Sequence, residues 1–153
     1  MIFSIKQLSS NPALSEETLA FTCSVYIDGK KVFTAMNNGT GGCHSYHPVK
    51  GKTYKEIREA EAWARSEHPD EFEPLDFVID GLVERESARK ILAREFKKKV
   101  LFKTPDGKLM EYRYFSKEVD EAKIKEGFAH AGNTVLNDLP IEEAVTVYLE
   151  AQQ

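Results

Sequence analysis

The segment Asn37-Asn38-Gly39-Thr40-Gly41-Gly42-Cys43-His44-Ser45-Tyr46-His47-Pro48 joins a strong strand pair to an equally strong helix start. It holds three of the nine glycines and two of the four histidines of the chain. Glycine lets the main chain approach another group closely, and Asn, Thr, Ser and His side chains add oriented hydrogen-bonding groups. This segment, called the glycine loop below (residues 37–48), predicts a binding site at one end of a sheet.

Strands and a tight turn precede the glycine loop. Residues 18–27 alternate in polarity, which is typical of a half-buried strand, and its apolar face carries Leu19, Phe21, Cys23, Val25 and Ile27. Asp28-Gly29 predicts a type I′ turn, because both central positions of that turn need positive φ. Residues 30–36 form the returning strand, and residues 2–5 are predicted as an edge strand.

Helices follow the glycine loop. Thr53 and Glu56 have the spacing of a capping box, which predicts a helix that ends near His68-Pro69. An acidic loop, residues 70–74, leads to a second helical region. Its apolar stripe changes phase near Ser87, so the pattern predicts either two helices or one bent helix.

The last third of the chain repeats the hairpin and helix signals. Residues 100–104 and 109–115 flank a Pro-Asp-Gly-Lys turn at 105–108. A helix is predicted from Ser116, with Glu118 and Asp120 in its first turn, ending by Gly132-Asn133, and a last helix has Asp138 as its cap and Pro140 in its first turn. Together these signals predict an α+β fold: a small antiparallel sheet built from two hairpins, packed with four to five helices in a single domain over residues 1–153.

Composition sets the class of protein. At 153 residues with 41% hydrophobic content, the chain can bury a core without disulfides or metal. A net charge of −4 argues against nonspecific duplex nucleic acid as a partner, since such binding needs phosphate neutralisation. Two cysteines read as reduced thiols, and no leader or apolar run suited to a membrane is present. We therefore expect a cytoplasmic protein with no membrane partner, and a homodimer is the default expectation for its assembly.

The glycine loop is the first candidate site. Successive glycine amides can point into one concavity that holds an anion, which predicts a phosphate-bearing ligand or nucleotide. The alternative is a solvent loop that needs glycine to turn twice, since neither a Walker nor a Rossmann pattern is present. The predicted ligand-binding residues of this loop are Asn37, Asn38, Gly39, Thr40, Gly41, Gly42, His44, Ser45 and Tyr46.

The second hairpin is the other candidate surface. It interleaves lysines and arginine with aromatics, the mixture that neutralises phosphate and stacks on bases. Lys103, Tyr112 and Arg113 are predicted to complete the ligand site. The alternative is that the aromatics fill the core and the charges form a solvated face.

The sequence lacks the additional residues that a metal site or a catalytic nucleophile needs. Cys43, His44 and His47 are suitable ligand types, but structural zinc takes two separated pairs and no second pair has recognisable spacing. A Cys43–His44 dyad has no orienting acid beside it in the sequence. We therefore predict no metal, no cofactor and no catalytic residue.

The quoted motifs resemble a small family of uncharacterised phage and bacterial proteins. Members share a strand-turn-strand unit, a Gly-Gly loop ending in a Ser-Tyr-like pair, and a later basic hairpin. The matching segments here are residues 23–32, residues 37–42, Ser45-Tyr46-His47, Leu101-Phe102-Lys103 and Glu111-Tyr112-Arg113. The resemblance implies a phage or mobile-element setting and links the two candidate surfaces into one site.

Three functions compete at this point. The first is a non-enzymatic protein that binds a nucleotide or another phosphate-bearing small ligand, in a phage setting by sequestering a nucleotide signal of host defence. The second is a protein-interaction module that inhibits a host protein through the acidic loop and an exposed hairpin edge. The third is a small nucleotide or phosphodiester hydrolase that uses His44 or His47. Binding without turnover is the preferred expectation.

Overall fold

The computed structural model of the protein describes residues 1–113 and 120–152 and confirms the α+β class. Its strands are β1 (Phe3–Ser10), β2 (Phe21–Ile27), β3 (Lys30–Asn37), β4 (Ser45–Pro48), β5 (Lys99–Lys103), β6 (Leu109–Arg113) and β7 (Thr134–Val135). Its α-helices are α1 (Tyr54–Glu67), α2 (Pro74–Glu95), α3 (Glu121–His130) and α4 (Ile141–Glu150). Short 3₁₀ turns lie at Pro12–Leu14 and Leu136–Asp138. The predicted strand residues 114–115 and the predicted helix start at Ser116 with Glu118 lie outside the described residues. Asp120, predicted in the first turn of that helix, is instead the N-cap of α3.

The first compact unit, Met1–Glu86, contains an antiparallel sheet of order β1-β2-β3-β4. The type I′ turn between β2 and β3 is confirmed, since Asp28 has φ 50° and Gly29 has φ 77°. The predicted apolar face of β2 is confirmed for Phe21, Cys23 and Val25, which are buried. It is wrong for Leu19, which lies before the strand and is 39% exposed. Residues of α1 and of the first half of α2 pack against the same core as this face, so the sheet and helices of the unit share one apolar interior.

The second compact unit, Ser87–Gln153, contains a sheet of order β6-β5-β7. Val100 and Phe102 of β5 pack with Val135 of β7, and α3 adds Ile124 and Phe128 to that cluster. A second apolar cluster includes buried Leu92, Leu136 and Val145. The helices and sheet of this unit are therefore also joined by apolar packing.

The two predicted hairpins lie in two different sheets rather than in one. The β2–β3 hairpin belongs to the first unit and the β5–β6 hairpin to the second, and α1 and α2 occupy the chain between them. Hairpin pairing is local in sequence and is readable from turn residues, whereas pairing between hairpins is non-local. This is why the sequence predicts the hairpins but not their separation.

The helix signals are confirmed in part. Thr53 and Glu56 form the predicted capping box of α1. Residues 74–95 form one continuous helix, so the alternative with two helices was wrong. Asp138 does not cap the last helix, because Pro140 occupies that position and Asp138 instead pairs with Lys125 at 2.6 Å. In the part of the chain that the structure describes, no helix has both the length and the apolar character needed to cross a membrane.

Candidate functional site

Asn37 is the organising side chain of the glycine loop. Its Oδ1 accepts hydrogen bonds from Thr18 Oγ1 and from the Gly39 amide, both at 2.8 Å. Its Nδ2 donates to the Gly42 carbonyl at 3.1 Å and to His44 Nδ1 at 3.0 Å. Only 8% of Asn37 is exposed. One buried amide therefore uses both its oxygen and its nitrogen to fix the path of the loop.

A carboxylate from α2 accepts two hydrogen bonds from the loop. Asp76 Oδ2 accepts from the His44 amide at 2.6 Å, and Asp76 Oδ1 accepts from the Tyr46 hydroxyl at 2.5 Å. Burial and the Asp76 carboxylate both raise the pKa of Tyr46, so its hydroxyl remains a neutral donor. The glycine loop thus holds an anion, and that anion belongs to the same chain.

The ring of His44 is engaged at both nitrogens. The amide orientation of Asn37 is fixed by the Gly39 donor and the Gly42 acceptor, so His44 Nδ1 accepts the hydrogen bond from Asn37 Nδ2. His44 Nε2 then donates to Asp80 Oδ1 at 3.0 Å. A general base needs a free ring nitrogen within reach of a substrate proton, and both nitrogens of His44 have protein partners.

Neither Cys43 nor His47 is a hydrogen-bond partner of the His44 ring. Cys43 is exposed, and its Sγ donates to Glu73 Oε1 at 3.5 Å, a contact that raises the pKa of the thiol. A raised pKa disfavours the nucleophilic thiolate. His47 lies on β4 opposite Thr34 of β3. Within residues 1–113 and 120–152, no three His, Cys, Asp or Glu side chains are grouped to hold a metal ion.

The three glycines of the loop are required for different reasons. All three have positive φ. A Cβ at Gly39 would lie 2.2 Å from the Leu14 carbonyl oxygen, and a Cβ at Gly41 would lie 2.5 Å from Glu17 Oε2. A Cβ at Gly42 meets nothing within 4 Å. Gly39 is therefore a packing requirement, whereas Gly42 has open space beside it.

The remaining loop residues have smaller roles. Thr40 is exposed and Ser45 begins β4. Asn38, the neighbour of the buried Asn37, is exposed. The amide of Gly41 donates to Thr18 Oγ1 at 3.3 Å. Thr18, Asp76 and Asp80 are the site residues that the sequence did not predict. The signal for the last two is a pair of carboxylates four positions apart on α2, the second helix after a donor-rich loop.

The predicted residues of the second hairpin lie in the second unit. Lys103 pairs with Glu150 at 3.8 Å, and Arg113 Nε donates to Glu111 at 2.8 Å. The ring of Tyr112 lies 5.9 Å from the ring of Phe128 and is partly exposed. The cations of this hairpin thus have carboxylate partners at the surface. A site that combines this hairpin with the glycine loop stays a prediction.

The acidic loop has a feature that its charges alone do not indicate. Phe72 is 88% exposed and lies between Glu71 and Glu73. Phe77, in the first turn of α2, is 48% exposed, and its ring contacts the ring of His68 at 5.0 Å. Two aromatic side chains are therefore presented to solvent among carboxylates.

Comparisons with known proteins give no independent identification. No family model, no curated protein and no solved structure matches the chain. The resemblance to phage and bacterial proteins stays a prediction.

Proposed function

We propose that this protein is a non-enzymatic interaction module that binds a basic protein surface containing an apolar pocket. The observation that carries the proposal is Phe72, a large aromatic side chain that is 88% exposed in an acidic loop. Aromatic side chains that fill a partner pocket supply much of the binding energy at protein interfaces. Phe72 is the proposed anchor, and Phe77 extends the apolar contact.

Charge indicates the chemistry of the partner. Residues 66–84, called the acidic segment below, contain seven Asp and Glu residues and no Lys or Arg. Asp76, Asp80 and Glu73 accept hydrogen bonds from residues of the glycine loop. Glu71 and Glu73 are the sequence neighbours of Phe72. Carboxylates around an aromatic anchor complement lysine and arginine around a pocket and speed association with such a surface. In the phage setting that the resemblance implies, the partner is a host protein, the binding inhibits it, and the protein acts in the host cytoplasm.

The test uses a short labelled peptide in which lysine and leucine alternate, with a peptide of glutamate and leucine for comparison. Fluorescence anisotropy should show binding of the basic peptide alone. Phe72→Ala should weaken that binding about tenfold or more, because anchor residues at interfaces contribute at this level. The melting temperature should not change, since an exposed side chain contributes little to folding.

Tyr54→Ala is the matched control, because Tyr54 is an exposed aromatic residue of the same unit that lies outside the acidic segment. It should leave peptide binding unchanged. Equal binding by wild type and Phe72→Ala, or equal losses in both variants, would refute the assignment of Phe72 as the anchor. Preference for the acidic peptide would refute the proposed partner chemistry.

A second candidate is the phosphate-bearing ligand expected from the sequence, with a host-defence nucleotide as its most specific form. The observation that favours it is Gly42, which has φ 104° and open space where a Cβ would lie. A ligand can approach the main chain closely at such a position. This candidate has less support than the first, because the His44 amide and the Tyr46 hydroxyl already bind Asp76.

A panel of nucleotides tests this second candidate by thermal shift. A nucleotide that binds should raise the melting temperature of the wild type, and Gly42→Val should abolish the increase. Gly51→Val is the control, because Gly51 also has positive φ and open space but lies after β4. Absence of a shift with every nucleotide would refute this candidate, and release of a hydrolysed product would show an enzyme instead.

A further inference from the structure

A cleft of about 180 Å³ opens in the first unit beside the start of the glycine loop. Six Ser, Thr and Asn residues and four apolar residues line it, and none of these lining residues is charged. Four of its residues, Ser9, Ser10, Phe21 and Thr22, come from the paired ends of β1 and β2. The cleft shares Asn37 and Asn38 with the glycine loop but is otherwise separate from the contacts made by Asp76.

One wall of the cleft, formed by residues 11–20, is closed by its own hydrogen bonds. The Asn11 amide donates to the Ala20 carbonyl at 2.9 Å. Ser15 Oγ accepts from the Ala20 amide at 2.9 Å and donates to the Asn11 carbonyl at 3.0 Å. Asn11 Oδ1 accepts from the Ala13 amide at 3.1 Å. The wall therefore has a defined shape without a ligand.

Gly39 docks this wall against the loop. Its carbonyl oxygen accepts from the amides of Glu16, Glu17 and Thr18 at 2.8, 3.0 and 3.3 Å. A Cβ at position 39 would lie 2.2 Å from the Leu14 oxygen and 2.9 Å from the Ala20 Cβ. The wall and the loop are thus in direct contact, and a preformed cleft binds without the cost of ordering its walls.

Four polar side chains of the cleft are exposed and have no protein hydrogen-bond partner in the part of the chain that the structure describes: Ser9, Ser10, Thr22 and Asn38. Asn11 and Asn37, by contrast, are committed to the wall and to the loop. The uncommitted groups are hydroxyls and an amide, which can donate and accept. Leu14 and Met36 add an apolar surface beside them.

We propose that this cleft binds an uncharged, hydroxyl-bearing molecule of the size of one sugar ring. A charged ligand would lose hydration without an opposite charge to replace it, whereas sugar hydroxyls would exchange water for Ser, Thr and Asn partners. The C–H face of a sugar ring would cover the apolar surface. The cleft volume of about 180 Å³ is below the ~300–1,000 Å³ typical of sites for larger ligands such as nucleotides.

The test is an ¹H–¹⁵N NMR titration of the full chain with glucose, galactose and mannose, their methyl glycosides, and glucose 6-phosphate. We expect a neutral sugar to shift the amides of Ser9, Ser10 and Asn38 saturably. Preference for the methyl glycoside would identify the end of a glycan as the ligand, and preference for the free sugar would identify a free monosaccharide. Tighter binding of glucose 6-phosphate, or no saturable shift with any neutral sugar, would overturn the proposal.

Two matched threonine substitutions test whether the sugar binds in the cleft or elsewhere on the sheet. Thr22 of β2 lines the cleft, whereas Thr34 of β3 lies in the same sheet but outside the lining. Thr22→Val should weaken sugar binding about tenfold through loss of one hydroxyl partner, and Thr34→Val should leave it unchanged. Equal effects of the two substitutions would overturn the assignment of the cleft. The proposal does not rest on the function proposed above, since Phe72 takes no part in it.

Discussion

At the scale of single residues, Asn37 fixes the path of the glycine loop through four side-chain hydrogen bonds. Its amide satisfies a backbone donor, a backbone acceptor, a hydroxyl and an imidazole. Loss of these hydrogen bonds is costly, because each buried partner of Asn37 would then have neither water nor a protein group to bond with. The adjacent Asn38 is exposed and makes no comparable set of contacts.

This difference between neighbours gives a prediction. Asn37→Ala should lower the free energy of unfolding by about 2–4 kcal/mol, because several buried groups lose a partner together. Asn38→Ala should change it by less than about 0.5 kcal/mol. Urea denaturation of both variants measures the two values. Similar values would mean that the loop keeps its conformation without Asn37.

The sequence could predict part of the candidate site at this scale. Asn37, His44 and Tyr46 lie in one short segment, so the composition of that segment was enough to predict them as site residues. Asp76 contacts His44 and Tyr46 from 32 and 30 positions away, and nothing local to the loop encodes these contacts. The sequence therefore predicted donors suited to an anion but not that the chain supplies the anion itself.

At the scale of elements, α1 begins with a capping box that is sensitive to pH. The Thr53 amide donates to Glu56 Oε2 at 2.9 Å, and Thr53 Oγ1 accepts from the Lys55 amide at 3.2 Å. The hydrogen bonds from Thr53 hold the pKa of Glu56 at about 2. A carboxyl whose pKa is lower in the folded state stabilises the fold when it is ionised.

The expected pH dependence follows from that sign. The contribution of Glu56 should be complete above the ordinary pKa of 4.5 and should be lost as the pH falls toward about 2. The melting temperatures of the wild type and Glu56→Gln should therefore differ at neutral pH and converge near pH 2. Thr53→Ala should cost about 1 kcal/mol at neutral pH. A difference between wild type and Glu56→Gln that persists at pH 2 would contradict this account.

Within α2, Ser87 marks the position where the apolar stripe changes phase. Its Oγ is buried and has no hydrogen-bond partner among the described residues. The boundary between the two compact units lies between Glu86 and Ser87. The change of apolar phase in the sequence coincides with this boundary, but hydrophobic period alone could not decide whether the helix continues through it.

Replacement of Ser87 tests the cost of that hydroxyl. Ser87→Ala should raise the free energy of unfolding by about 0.5–2 kcal/mol, because it removes an unpaired buried hydroxyl and introduces a better helix former. Ser66→Ala in α1 is the comparison, since Ser66 Oγ donates to the Trp63 carbonyl at 2.7 Å and its loss brings no such gain. Destabilisation by Ser87→Ala on urea denaturation would show that the hydroxyl has a role in the fold.

At the scale of the whole molecule, the excess of negative charge comes from the acidic segment. The acidic segment holds seven of the 25 acidic residues and none of the 21 Lys and Arg residues. Outside it the chain has 18 acidic residues against 21 basic ones. A net charge of −4 therefore conceals a strongly acidic segment on a mildly basic remainder. The composition shows only the net charge of the chain. The exposure of Phe72 and Phe77 in the structure shows which apolar side chains the acidic segment presents to a partner.

The exposed carboxylates and Phe72 should affect different rate constants, for association with the lysine–leucine peptide and for dissociation from it respectively. Replacing Asp70, Glu71 and Glu73 by Asn, Gln and Gln should slow association and reduce its dependence on salt, because exposed charges act mainly on encounter. Phe72→Ala should instead speed dissociation. Surface plasmon resonance at several NaCl concentrations separates the two rates. A purely dissociative effect of the triple substitution would refute electrostatic steering.

The Asp76 contact makes the glycine loop a receptor that carries a tethered ligand. A tethered group competes at an effective concentration that free molecules must exceed, commonly in the millimolar range. A free carboxylate or phosphate must therefore compete with Asp76 for the His44 amide and the Tyr46 hydroxyl. Loss of the Asp76 side chain would release the His44 amide and the Tyr46 hydroxyl together.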